Sequence, residues 1–169
     1  MSPVKTTAPV ASAEERITAL ISKFDAEYQK LIRAARKAVQ KRFPTANELV
    51  YDYARNFVIG YSPTEAGAHG IAALSAEPEE LRFYLTNGAK LPDPHKLLQG
   101  KAGARYVVVG SAKDLLRPEV EALMVAAEKV AKIPLKASGR GELIMKDSAL
   151  GKKPAKVSSS RPSGKTAKR

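Results

Sequence analysis

Apolar residues recur at intervals of three and four from Ser12 to Phe43, and after Glu48 the interval drops to two. That change of period limits the folds open to this chain, because one spacing suits a helix and the other a half-buried strand. Ile17, Leu20, Ile21, Phe24, Tyr28, Leu31, Ile32, Ala35 and Val39 fall on one face of a single long amphipathic helix. Arg16, Lys23, Lys30, Arg33, Lys37 and Lys41 fall mostly on the other face. Ser12 and Glu15 have the spacing of a capping box, in which each side chain satisfies an orphan amide of the first turn. Phe43-Pro44 closes the helix, since a residue before proline is pushed out of the α region.

Short strand-like runs follow. Leu49, Tyr51 and Tyr53 alternate, then come Phe57-Val58-Ile59, Ile71 to Leu74, Leu81 to Leu85 and Tyr106 to Val109. Gly60, Ser62-Pro63, Glu77-Pro78-Glu79-Glu80 and Asn87-Gly88 punctuate them as turns. No crossover helix fits between the first four runs, so antiparallel hairpins are predicted. Ser111 with Asp114 reads as a cap, and Pro118 suits the first turn of a second helix. Val120, Leu123, Met124, Ala127 and Val130 form its stripe, and Pro134 ends it. Leu143-Ile144-Met145, within Gly139 to Asp147, is a candidate final strand. The expectation is an α+β two-layer sandwich, an antiparallel sheet with N-terminal and C-terminal helices packed on one face. Residues 12–135 make the domain and 136–150 a short extension, between a disordered lead-in (1–11) and a disordered basic tail (151–169).

Composition narrows the chemistry. Cysteine is absent, which excludes disulfides, thiolate metal sites, iron–sulfur clusters and cysteine nucleophiles. Aromatic residues are 6% of the chain and Trp is absent, so an aliphatic core is expected. No stretch approaches the ~18 apolar residues of a membrane span, and Met1 to Ser12 lacks the apolar run of a signal peptide. A cytoplasmic location with no membrane partner is the corresponding expectation.

The net charge of +12 is unevenly spread. Residues 13–43 carry eight bases against four acids, residues 44–135 ten against eleven, and residues 136–169 ten against two. The tail cations Lys152, Lys153, Lys156, Arg161, Lys165, Lys168 and Arg169 stand without one acid among them. Such a segment attracts polyanions through counterion release, which makes weak nucleic-acid contact its predicted role. It lacks aromatic platforms for stacking bases.

One stretch resembles a known family. Asn87-Gly88-Ala89-Lys90-Leu91-Pro92-Asp93-Pro94 is followed by Leu97-Leu98-Gln99-Gly100, Arg105 to Val109, Asp114-Leu115 and Pro118 to Ala127. Over about residues 13–135 this order is similar to the YdhG-like domain family, a bacterial domain of unknown function. The resemblance implies a compact α+β fold related in shape to frataxins. It also implies iron as a possible cargo, since some relatives are described as intracellular iron chaperones. It brings no catalytic residues. The chain departs from frataxin-type delivery in charge: iron needs carboxylate oxygens, and the first helix sets only Glu14, Glu15, Asp25 and Glu27 against eight bases.

Few groups could carry chemistry. Asp93 and His95 stand two residues apart on a loop stiffened by Pro92 and Pro94, and could supply two metal ligands or an acid/base pair. The structural alternative has Asp93 capping a short helix from Lys96 to Gln99. His69 is the only other histidine. Glu77, Glu79 and Glu80 form a candidate hard-cation patch or a solvated turn. Tyr51, Tyr53, Tyr61 and Tyr84 are candidates for a small-molecule pocket between sheet and helix, or for core. Ser158-Ser159-Ser160 beside Arg161 has the composition of a phosphorylation site. A phosphate-binding glycine loop and a Gly-x-Ser-x-Gly elbow are both absent. The leading expectation is a small intracellular binding or chaperone-type domain for an unknown small ligand or protein, without evident catalysis or cofactor. The alternatives are a nucleic-acid-associated protein using the tail and first helix, and a carrier of iron or another metal.

Overall fold

The computed structural model describes residues 11–146; the expected lead-in before Ala11 and the basic tail lie outside the described residues. The capping box at Ser12 forms as expected and opens α1, Ala13–Ile21. The single long helix does not form. Ser22 turns its hydroxyl back onto the Ala19 carbonyl at 2.7 Å. Asp25 then starts α2, Ala26–Arg42, by accepting the Tyr28 amide at 2.9 Å. Short polar side chains compete with the backbone ladder in this way, so they favour caps over helix interiors. The break spans about one turn, so the apolar stripe resumes in phase: Ile17, Leu20 and Ile21 are buried on α1, and Ile32, Ala35 and Val39 on α2.

The strands are β1 (Asn47–Asp52), β2 (Phe57–Ser62), β3 (Ala72–Ala76), β4 (Leu81–Leu85), β5 (Arg105–Val109) and β6 (Leu143–Met145). They form one sheet in the order β5-β4-β3-β2-β1-β6. The first five make the expected antiparallel meander. The sheet is nevertheless mixed, because β6 lies parallel to β1, with Glu48, Leu49 and Val50 opposite Leu143, Ile144 and Met145. The reason is topological. Antiparallel steps leave β5 pointing the same way as β1, and α3 (Pro118–Lys129) returns the chain to the end from which β5 started. Such a crossover yields a parallel strand.

Cross-strand rows connect the sheet to the helices. Val50, Ile59, Leu74 and Phe83 are successive partners, as are Phe57, Ala76, Leu81 and Val109. Both rows join the stripes of α1 and α2 and Val120, Leu123, Met124 and Ala127 of α3 in one buried cluster. Each large apolar side chain buried this way contributes roughly 1.5–3 kcal/mol. Val130, expected in the α3 stripe, is exposed, since α3 stops at Lys129, well before Pro134. Ser111 and Asp114 form a second capping box, on a 3-10 turn, and Pro118 is at the helix's first position. Arg42 ties α2 to α3 through Glu121 at 2.9 Å and Glu128 at 2.8 Å. No helix among the described residues is long and apolar enough to cross a membrane.

Because Asp25 restarts the helix, Asp25→Ala is expected to lower stability by about 1 kcal/mol, whereas Asp25→Asn retains most of it. Paired denaturant titrations of the two variants measure the difference.

Candidate functional site

Glu48 is only 6% exposed on β1, and three side chains converge on its carboxylate. Arg36 donates to both oxygens, at 3.0 and 2.9 Å. Gln40 donates at 2.8 Å and the Tyr61 hydroxyl at 3.2 Å. The far side of the Arg36 guanidinium meets Glu14 of α1 at 3.1 Å. Burial opposes the charge on Arg36, but its hydrogen bonds to Glu48 and Glu14 outweigh that and raise its pKa. Burial, followed by the negative charge of Glu48, holds the Tyr61 hydroxyl protonated well above its ordinary 10.0. Among the described residues no buried side-chain donor or acceptor lacks a partner. The cluster is therefore a satisfied structural floor.

Above that floor lies a cleft of about 570 Å³. Its walls are the C-terminal half of α2, the turn from Phe43 to Ala46, the facing ends of β1 and β2, and residues 139–141. Lys37 and Lys41, one turn apart on α2, line it from one side and Arg140 from the other. None of these three cations has an acidic partner among the described residues. Phe43, Pro44 and Ala46 supply apolar wall, and Gln40 a polar group. The arrangement suits an anion with some apolar body. Lysine supplies point charge, and arginine a planar fork for carboxylate or phosphate oxygens.

The residues singled out in the sequence lie elsewhere. Asp93 accepts the Leu97 and Leu98 amides, each at 2.9 Å. The short helix expected from Lys96 to Gln99 does not form, because Lys96 takes the left-handed region at φ 52° and Gln99 pairs with Tyr106 at the edge of β5. His95 lines a separate cleft with Asp93, Pro118 and Glu119. Glu77, Glu79 and Glu80 occupy the β3–β4 turn as expected. There Glu77 accepts from Ser75 at 2.6 Å and from Asn56 at 3.3 Å, and Glu80 pairs with Arg82. The His69 ring is 2.8 Å from the Thr64 hydroxyl. Among the described residues no three His, Asp or Glu side chains come together to hold a metal ion. The carboxylates of Asp93, Glu77 and Glu80 serve backbone amides or neighbouring side chains.

Of the four tyrosines, Tyr61 is core and forms part of the cleft floor. Tyr51 and Tyr53 stack at 6.5 Å, and Tyr84 packs on Tyr106 at 5.1 Å with Arg82 over the Tyr106 ring. Lys152, Lys153, Lys156, Arg161, Lys165, Lys168 and Arg169, like the Ser158 to Ser160 run, lie outside the described residues. In the sequence, Lys37 and Lys41 belong to the basic face of the first helix, with phosphate contact as their role only in the nucleic-acid alternative, and Arg140 has no role. The i,i+4 lysine pair was the available signal; its convergence with Arg140 depends on tertiary structure. Comparison with protein-family models, curated proteins and solved structures finds no match to this chain.

Glu48→Ala is expected to cost about 3 kcal/mol or more, since it leaves Arg36 facing a buried gap and the Tyr61 hydroxyl unpaired. Denaturant midpoints of Glu48→Ala against the native chain measure it, with Glu48→Gln as the variant that keeps shape without charge. A second outcome concerns alkali. The native state keeps the Tyr61 proton that the unfolded chain releases near 10.0, so this contribution to stability is complete below that pH and falls as pH rises above it. Ultraviolet titration should show Tyr61 ionising only together with unfolding, and Tyr61→Phe should flatten the decline.

Proposed function

We propose that this chain is a small, non-catalytic intracellular binding domain whose ligand is an anion held in the cleft between α2 and residues 139–141. One observation carries the reading: Lys37, Lys41 and Arg140 meet at one concave surface without acidic partners among the described residues. Lys37, Lys41 and Arg140 are solvent-exposed and carry no counter-charge there, so they favour an anionic guest by summed Coulomb attraction that salt screens. Arg36 offsets the charge of Glu48 in the floor, which lowers the repulsion an anion would meet from a free carboxylate.

The proposal includes a two-layer arrangement with the helices on one sheet face. In its support, the Val50 and Phe57 rows belong to the cluster shared with all three helices, while the alternate residues Arg82, Tyr84, Tyr106 and Val108 stay partly exposed. It also keeps the chain beside the YdhG-like domains, whose implied α+β class agrees with this architecture. A nucleic acid is the second reading. It draws on the same α2 lysines together with the excess charge after residue 136, and its phosphates would be gathered by charge alone.

The test is isothermal titration calorimetry of the full chain with inorganic pyrophosphate. Binding is expected at low salt, with weakening as salt screens the site. The double variant Lys37→Ala, Lys41→Ala should bind about tenfold more weakly or worse, a loss of about 1.4 kcal/mol. No heat from the native chain, or equal affinity in the double variant, rules the cleft out. A single-stranded oligonucleotide that binds far more tightly than pyrophosphate would favour the second reading.

A further inference from the structure

We infer that residues 136–146 act as a strap whose docking on β1 completes the anion site, so that a phosphate-bearing dianion and the docked strap stabilise one another. The inference rests on the cleft being the binding site and concerns how that site is assembled. Lys37 and Lys41 stand on α2, whose buried face fixes them whether or not an anion is present. Arg140 has no such support. It reaches the cleft only because the next residue, Gly141, lies against the first residues of β1.

That contact admits glycine alone. A Cβ at Gly141 would collide with the Ala46 carbonyl and crowd the Asn47 amide, which are backbone atoms with no room to retreat. The Gly141 amide donates to the Pro44 carbonyl at 3.1 Å. Beyond it, the Glu142 amide donates to the Asn47 side chain at 2.9 Å, and the Glu48 amide donates to the Glu142 carbonyl at 2.8 Å. The strap ends where the Lys146 amide donates to the Val50 carbonyl and its ammonium to the Glu65 carbonyl, each at 2.8 Å.

At its other end the Thr45 hydroxyl donates to the Lys136 carbonyl at 2.7 Å, and Leu143 and Met145 pack on the edge of the core. β6 has three residues, all only half-buried. Segments with few buried apolar contacts and exposed hydrogen bonds open at low cost, below that of global unfolding. Opening removes Arg140 and one wall of the cleft while leaving both lysines in place. An anion that gains from Arg140 therefore binds the docked state better, and linkage requires that it hold the strap down by the same factor. A dianion is the ligand class, because two point charges on α2 and a guanidinium fork opposite can share phosphate oxygens from both sides.

The experiment follows amide hydrogen exchange by NMR on the full chain, with inorganic pyrophosphate as probe. At about a hundred times its Kd, pyrophosphate should slow exchange of the Glu48 and Lys146 amides about tenfold, the full coupling factor, and leave the β2–β3 ladder unchanged. Gly141→Ala should speed those two amides without pyrophosphate, keep the β2–β3 ladder protected, and bind pyrophosphate about tenfold more weakly. Arg140→Ala should keep the basal protection of both amides, lose comparable affinity, and lose the slowing by pyrophosphate. If Gly141→Ala binds as tightly as the native chain, or if saturating pyrophosphate leaves both amides unaffected, the strap inference is overturned while the cleft stands. Should Gly141→Ala fail to fold, the native and Arg140→Ala arms decide alone. A native chain that binds no pyrophosphate overturns the cleft reading, and the strap inference with it.

Discussion

The pairing of Arg36 with Glu48 is the interaction on which the rest of the molecule depends. It places a guanidinium from α2 on a carboxylate from β1, in a region where neither is well solvated. A buried pair of this kind adds little net stability over apolar packing, yet breaking it is costly, so it selects one arrangement strongly. Here it joins α2 to β1. Gln40 and Tyr61 complete the shell of the carboxylate, and Glu14 extends the contact to α1. Two helices and two strands thus share one polar node beside an aliphatic core. Gln40, Glu48 and Tyr61 of this node also line the cleft beside the C-terminal half of α2.

The local half of this architecture was legible in the sequence. Ser12 with Glu15, Ser111 with Asp114, and Pro118 announce helix starts because capping involves residues only three apart. Short apolar runs bounded by turn residues located β1 to β5. The alternating Leu49, Tyr51 and Tyr53, however, are not the residues that face the helices: Val50 joins the core row, and Tyr53 lies beyond β1 and is exposed. Asp25 misled because an acid among bases on an amphipathic stretch resembles an exposed helix residue, and the stripe kept its phase across the break. The direction of β6 was hidden for a different reason. It depends on where α3 delivers the chain, which no short window of residues records.

The site was less legible than the fold. Asp93, His95 and the Glu77 to Glu80 turn drew attention through residue type, but in the folded chain the carboxylates of Asp93, Glu77 and Glu80 mainly shape turns. The cleft draws on residues 37–61 and 139–141, far apart in the chain, and the common feature of its three cations is the lack of a counter-charge among the described residues. A missing partner has no sequence signature. It also changes how the basic character is understood, because three of the cations gather at a concavity of the folded part rather than on the tail.

The strap has a bearing on colloidal behaviour. While seated, it caps the free edge of β1, a strand whose central residues Leu49 and Val50 are fully buried. Unseated, it would leave a row of unsatisfied amides and carbonyls beside an apolar strand, a template on which a second molecule could add. Occupancy of the cleft would then protect against self-association as well as report a ligand. The small residue at Gly141 guards the sheet's border as much as it shapes the pocket.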